Sequence, residues 1–454
     1  MIIGIGMADP FTVGVITLCL LLFLIFIGVR VVFAAAIVGL LGLVELRGWG
    51  PAAGIIGTIP HSKSSSYALS VLPMFIFIGF LAFHAGMTQQ LFDAARKWLG
   101  WLPGGLAVAT VMATAGFAAV SGASTATAAV FSRVAIPEML KYGYDRKLAA
   151  GVVASAGTLA TLIPPSAILV IYAIIVEQSV GKLLLAGFLP GIFSAFVYAG
   201  IIIVWAMWKP SDAPAVSGFT WGERMRTLPG ISPIALVVII IMTAIYGGWA
   251  TPTEAGALGA FIVLVLALVR GTPLKSIKDS LMESAKLTVM IFSLIWGVLI
   301  FVRFLGFSGI PGAFTEWVVA LPYEPMTIMI CILLAYAVLG MFMDAIGMLL
   351  LTLPVVYPAV IALGFDPIWF GIIAVKMAEI CLITPPIGLN CFVVNGVRPD
   401  IPLGDVFRGV ALFFIADVIT IAALLMFPEI VTWLPNFDFA AWWDGLWAAS
   451  SATN

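Results

Sequence analysis

The chain has 454 residues, 63% of them hydrophobic and only 9% charged, with a net charge of −1. A soluble domain carries roughly a quarter charged residues, so this composition belongs to a polytopic membrane protein. The charge gives no case for nucleic acid, and two histidines, His61 and His84, are too few for a histidine metal site or proton relay.

The N-terminus turns apolar almost at once and lacks a basic n-region, so 11–29 reads as a retained span rather than a cleaved signal. Apolar runs of spanning length follow at 31–46 and 69–86. The next run, 104–139, is long enough to cross once with room to spare, yet Ser121-Gly-Ala-Ser-Thr-Ala-Thr127 interrupts its centre. Unpaired backbone at membrane depth is tolerated only inside protein or beside a wet cavity. The run therefore reads as a re-entrant helical hairpin with a hydroxyl-rich tip. A run at 147–176 follows, broken by Ile163-Pro-Pro-Ser166, and then one at 183–208. Residues 209–230, with Lys209, Asp212, Glu223, Arg224 and Arg226, form a polar linker.

Spans resume at 231–249, 253–270 and 286–305. A second hairpin covers 327–362, with its tip around Gly340–Gly347. A second broken span, 367–394, holds Thr384-Pro-Pro-Ile387, and 405–427 is the last crossing. The tail, 428–454, carries Trp433, Trp442, Trp443 and Trp447 and suits a periplasmic interfacial segment. Pro137, Gly143, Tyr144, Asp145, Pro164 and Pro165 recur as Pro358, Gly364, Phe365, Asp366, Pro385 and Pro386, always 221 residues on. Six matches in one register mark an internal duplication of residues 1–208 in 231–427. Each half holds five full spans, one of them broken at Pro-Pro, plus one hairpin. An odd number of crossings inverts the second half against the first. The expected fold is an all-α polytopic membrane protein of two inverted repeats, an arrangement typical of secondary transporters. On this map 16 Lys and Arg fall on one side and 4 on the other. The positive-inside rule then makes the linker cytoplasmic and both termini external.

Three features carry candidate chemistry. Ser121, Ser124, Thr125 and Thr127 offer neutral oxygens of the kind that bind sodium at broken helices, although small residues at such a tip also serve close helix packing. Pro164-Pro165 and Pro385-Pro386 must each interrupt a helix and free carbonyls; Thr158, Thr161 and Ser166 surround one, Thr384 and Asn390 the other. Asp344 is an intramembrane carboxylate, which either caps the returning helix or serves an ion site. Lys376 and Glu379 read as an ion pair within one helix, and Thr251 with Glu254 as a helix-start signature. Cys19, Cys331, Cys381 and Cys391 have no zinc or disulfide spacing. No nucleotide-binding or hydrolase motif stands out, so the chain reads as no enzyme.

Ser121–Thr127, Ile136-Pro-Glu-Met139, Gly143-Tyr144, Leu162-Ile-Pro-Pro-Ser166, Ala186-Gly-Phe-Leu-Pro-Gly191 and Thr384-Pro-Pro-Ile-Gly-Leu-Asn390 together resemble the large membrane subunit of TRAP (tripartite ATP-independent periplasmic) transporters. That resemblance implies a bacterial inner-membrane protein of the ion transporter superfamily, with sodium as the coupling ion and no other cofactor. It implies an elevator mechanism, with hairpins and broken spans moving against a scaffold of spans 11–46 and 231–270. It also implies a periplasmic substrate-binding protein and a separate small four-helix membrane subunit as partners, besides lipid, and a small carboxylate-bearing solute as cargo. A stand-alone sodium–dicarboxylate symporter and a non-transporting scaffold are the competing readings. Mapped onto this chain, the sodium- and substrate-binding set is Ser121, Gly122, Ser124, Thr125, Thr127, Gly157, Thr161, Pro164, Pro165 and Ser166 in the first half. In the second it is Asp344, Gly347, Thr384, Pro385, Pro386 and Asn390. Sodium itself is expected at Ser121, Ser124, Pro164, Asp344 and Thr384, the first tip working with the first break and the second with the second.

Overall fold

The structure, a computed structural model, describes residues 9–216 and 218–437, which are helical with no strand among them. The tryptophans of the tail beyond Phe437 lie outside the described residues. In chain order the helices are α1 (Pro10–Phe26), α2 (Val31–Arg47), α3 (Trp49–Ser64), α4 (Val71–His84), α5 (Met87–Leu99), α6 (Gly105–Ser121), α7 (Ser124–Lys141), α8 (Arg146–Thr158), α9 (Ala167–Ile175) and α10 (Val180–Trp208). The linker holds the short α11 (Trp221–Met225). Beyond it come α12 (Leu228–Tyr246), α13 (Pro252–Val269), α14 (Leu274–Ser308), α15 (Ile310–Val319), α16 (Pro325–Gly340), α17 (Ala345–Ala362), α18 (Pro367–Cys381), α19 (Leu389–Val397), α20 (Leu403–Met426) and α21 (Glu429–Asn436). Among the described residues, seven helical stretches are long and apolar enough to cross a bilayer, which fits a multi-pass membrane protein.

Helix starts recur at the same 221-residue offset: Val31 and Pro252, Ser124 and Ala345, Arg146 and Pro367. The local cause is visible at the last pair. Asp145 accepts hydrogen bonds from the amides of Lys147 and Leu148, and Asp366 accepts from Ile368 and Trp369. Each carboxylate satisfies two orphan donors of a first turn, a contribution of about 1 kcal/mol per cap. Glu254 and Thr251 form the expected capping box at the start of α13.

Three elements depart from the sequence reading. Helices α5 and α15, at equivalent places, are too short to register as spans, and α5 is polar besides. In α5, Met87, Thr88, Leu91, Phe92 and Ala94 are buried on one face, while Asp93, Arg96 and Lys97 make ion pairs on the other. Arg96 also pairs with Glu138, tying α5 to the base of α7. The third departure is α14. The span expected at 286–305 is the centre of a single 35-residue helix. Its first-half counterpart is jointed into α3, a 3-10 turn at Tyr67–Ser70, and α4. At the joint, Ser64 and Ser65 donate their hydroxyls to the carbonyls of Pro60 and His61, local bonds that compete with helix continuation. The matching second-half stretch, Glu283-Ser-Ala-Lys-Leu287, is made mostly of good helix formers.

Packing sorts the helices into two groups. One holds α1, α2, α4, α12, α13 and α14, with α14 lying along α2 and α4 and α13 along α4. The other holds the two hairpins and the two broken spans, with α8 packed on α7 and α20 and α10 on α6, α18 and α20. The groups meet where α4 and α12 pack on α6 and where α14 meets α17. At the first meeting point a β-carbon on Gly79 would stand 2.5 Å from Ser121 Cα, so only glycine permits this approach.

Candidate functional site

The first tip is built by a two-residue interruption. Gly122 has φ +59° and Ala123 is extended, which ends α6 and starts α7 afresh at Ser124. Ser121 Oγ and Thr127 Oγ1 are 2.7 Å apart across the turn, and Thr127 also donates to the Ala123 carbonyl. The tip leans on the first break: the Ala167 amide donates to the Gly122 carbonyl at 3.3 Å, and a side chain at Gly122 would run into the Pro165 carbonyl.

Around that break α8 ends at Thr158, a short 3-10 turn covers Leu159–Thr161, and α9 restarts at Ala167. The Ser166 hydroxyl donates to the Thr161 carbonyl and accepts from the Leu169 amide, capping α9. Gly157 lets α7 in close, with Ala128 Cβ 2.9 Å from where its own β-carbon would be. Every residue from Thr161 to Val170 is buried.

Asn390 joins the first tip from the second half, a pairing the sequence reading did not make. Its Nδ2 donates to Ser124 Oγ at 2.8 Å and to the Ala154 carbonyl at 3.0 Å. The side chain is wholly buried, and its Oδ1 has no hydrogen-bond partner. The sequence signal was present in the polar residue four positions after Pro386, but nothing in the spacing says which tip it reaches.

The second tip differs. After α16, Met341–Asp344 turn the chain, and Asp344 Oδ2 accepts from the Gly347 amide at 3.0 Å, so it does cap α17. The end of α16 lies flush on the end of α18, where Gly340 leaves no room for a β-carbon beside Cys381 Sγ. Thr384 donates to the Ile380 carbonyl within its own helix end. Pro385 and Pro386 are exposed.

These donor sets bear on sodium. At the first tip, hydroxyls, peptide carbonyls and the orphaned amide oxygen of Asn390 are neutral, hard ligands, which fit a weakly held monovalent cation. No cluster of three or more His, Cys, Asp or Glu that would hold a transition metal exists among the described residues. The Ser121 side of the tip is closed to an organic solute. Phe80, Phe83, Phe117 and Ser121 line a crevice with only about 10 Å³ of free space, enough for about one water.

Sequence reasoning missed Asp417 and Tyr198. Lys376 does pair with Glu379, as expected, but it also lies 2.8 Å from Asp417 Oδ1 on α20. The signal was a lone carboxylate in an apolar span. Outside the spans, Tyr144 accepts from the Leu106 amide at the base of the first hairpin, and burial pushes its hydroxyl up to about 12.

Comparison with known proteins bears on the whole chain. The family model described as "Tripartite ATP-independent periplasmic transporter, DctM component" matches residues 18–430. The C4-dicarboxylate TRAP transporter large permease protein DctM of Pseudomonas aeruginosa is 37% identical over 83% of this chain and 86% of its own. Its namesake in Vibrio cholerae is 33% identical over 92% of this chain and 97% of its own. Among solved structures, the YdaH transporter of Alcanivorax borkumensis shares the fold at 13% identity, with a TM-score of 0.58 over 94% of this chain and all of that one.

Proposed function

Because the chain belongs to the DctM component family, the large membrane subunits of tripartite ATP-independent periplasmic transporters, we propose that it imports a small organic acid driven by sodium. It is a transport protein, not an enzyme. The cargo class follows the two relatives, whose names give C4-dicarboxylates. In this reading a periplasmic binding protein delivers the solute, and a small membrane subunit completes the assembly in the bacterial inner membrane, with both termini outside.

The observation that carries the sodium reading is the Asn390 bridge to Ser124 with its unpartnered Oδ1. A cation at the first tip gives that oxygen a partner and links two helices from opposite halves. Ordering them readies the site for the anion, whose carboxylate finds amide donors at the starts of α7 and α17. Residues 121–127 with 157–166 then form one ion site, completed by Asn390. Asp344, Gly347 and Thr384–Pro386 form the second, and the helix group containing both slides against the other.

The test is uptake of a radiolabelled C4-dicarboxylate into proteoliposomes holding the whole system under an inward sodium gradient. Ser124→Ala is expected to lower sodium-dependent uptake by roughly tenfold, the scale of one lost hydrogen-bonding ligand, with unchanged protein in the membrane. Uptake indifferent to sodium sinks the coupling, and uptake without any binding protein marks a stand-alone symporter instead.

A further inference from the structure

Behind the two breaks lies a charged cluster that the transport reading leaves unused. Lys376 Nζ sits 2.7 Å from Glu379 Oε2, one turn along α18, and 2.8 Å from Asp417 Oδ1 on α20. All three side chains are wholly buried. Tyr198 on α10 donates to Asp417 Oδ1 at 2.6 Å, and its ring centroid is 5.5 Å from Lys376 Nζ. Thr158, the last residue of α8, is 3.4 Å from the Tyr198 hydroxyl. Titratable groups on the other helices packed against α18 are engaged elsewhere. Tyr172 of α9 bonds the Pro367 carbonyl, Tyr336 of α16 bonds Thr352, Asp344 caps α17, and Glu429 of α21 is exposed.

Charge and hydrogen-bond donors both bear on the protons of this cluster. Two carboxylates and one ammonium leave one negative charge in excess where water is excluded, which is costly unless neutralised. The Thr158 hydroxyl gives its proton to the Ser155 carbonyl at 2.7 Å, and Tyr198 gives its own to Asp417. Asp417 Oδ1 has both Lys376 and Tyr198 as donors, whereas Glu379 has the ammonium alone; the second oxygen of each carboxyl lacks a hydrogen bond.

We propose that Glu379 is a proton-binding site, so that the cluster rests as an ammonium, one carboxylate on Asp417 and one neutral carboxyl on Glu379. A metal cation does not substitute, because the Lys376 ammonium already occupies the place between the carboxylates and repels a second charge. Thr158 leads straight into the first break, and Glu379 lies two residues from the end of α18. Loss of the proton therefore acts on both broken spans. Resting on the transport reading above, uptake at saturating sodium then falls as rising pH strips the site.

The test begins with a measurement that needs no transport. Infrared spectra of the full chain in lipid at neutral pH should show the carbonyl stretch of a protonated carboxyl that shifts with ¹³C-glutamate labelling and not with ¹³C-aspartate. It should vanish in Glu379→Gln. No glutamate-derived band in the folded wild type, or one that persists in Glu379→Gln, overturns the proposal without reference to any variant's activity. The second arm is uptake against pH: Glu379→Gln should keep uptake within a few-fold of wild type and lose the alkaline fall. An alkaline fall unchanged in Glu379→Gln overturns the link to transport. A wild type that transports nothing leaves the infrared result standing and refutes the function instead.

Discussion

The two Pro-Pro breaks hold equivalent places in the chain, yet one is sealed and the other open. Pro164 and Pro165 are buried with all their neighbours, whereas Pro385 and Pro386 are exposed and Leu389 beside them is 37% exposed. Their chemistry is divided in parallel. At the 221-residue offset, Ser155 and Thr158 stand against Lys376 and Glu379, Ser124 against Ala345, and Gly122 against Met343. The two stretches share helix starts and differ in chemistry: neutral oxygens in tight packing in the first, charge and access in the second. The halves do not work alone, since Asn390 of the second completes the tip of the first.

The largest effect should come from breaking the charge. Lys376→Met strands the buried Asp417 carboxylate and is expected to cost about 3–5 kcal/mol, seen as a large drop in the thermal midpoint in detergent. Its counterpart Ser155→Ala removes a buried hydroxyl that has no partner and should cost under about 1 kcal/mol. Equal drops would erase the division. The close-packed glycines come next. Gly122→Ala puts a side chain at positive φ against a backbone carbonyl, about 1–3 kcal/mol of strain that no neighbouring substitution relieves. Gly340→Ala meets only the Cys381 side chain, so adding Cys381→Gly should restore part of the loss. A Gly122→Ala protein of wild-type stability would mean that the first tip is looser than its counterpart.

Smaller again is Asn390→Ala, which removes two donated bonds and the orphaned oxygen. It should weaken sodium binding by about 1–3 kcal/mol, read as a raised half-saturating sodium concentration for uptake. Unchanged sodium dependence would leave Asn390 a structural bridge only. The smallest expected effect is that of Asp344→Asn. Asn caps a helix about as well as Asp, so stability should hold within about 0.5 kcal/mol while sodium half-saturation rises. Unchanged sodium affinity would confine the second tip to capping.

Much of this architecture was legible in the residues. The Ser-Gly interruption, the Pro-Pro pairs and the aspartate caps are local signals, because each acts on backbone within a few positions of itself. Helix ends at Ser121, Thr158 and Cys381 lie close to those signals. Helices α5 and α15 were illegible as spans because their burial is one-sided and their length short. The joint between α3 and α4 was missed because a serine run reads as a loop edge rather than a hinge in a longer helix. The Asn390–Ser124 and Lys376–Asp417 pairings were out of reach for a different reason. They join positions 266 and 41 residues apart, and hydropathy carries no information about which faces meet.

The unbroken α14 has one more implication. At about 1.5 Å per residue its 35 residues run to about 52 Å, against a hydrocarbon slab of about 30 Å. The helix must therefore lean steeply or emerge, and the part equipped to emerge is its first turns, with Lys275, Lys278 and Asp279. The jointed α3–α4 pair can fold its surplus length along the lipid surface, an adjustment a straight rod does not have. Bilayer thickness thus loads the two halves of one chain unequally, pressing on the ruler and sparing the hinge.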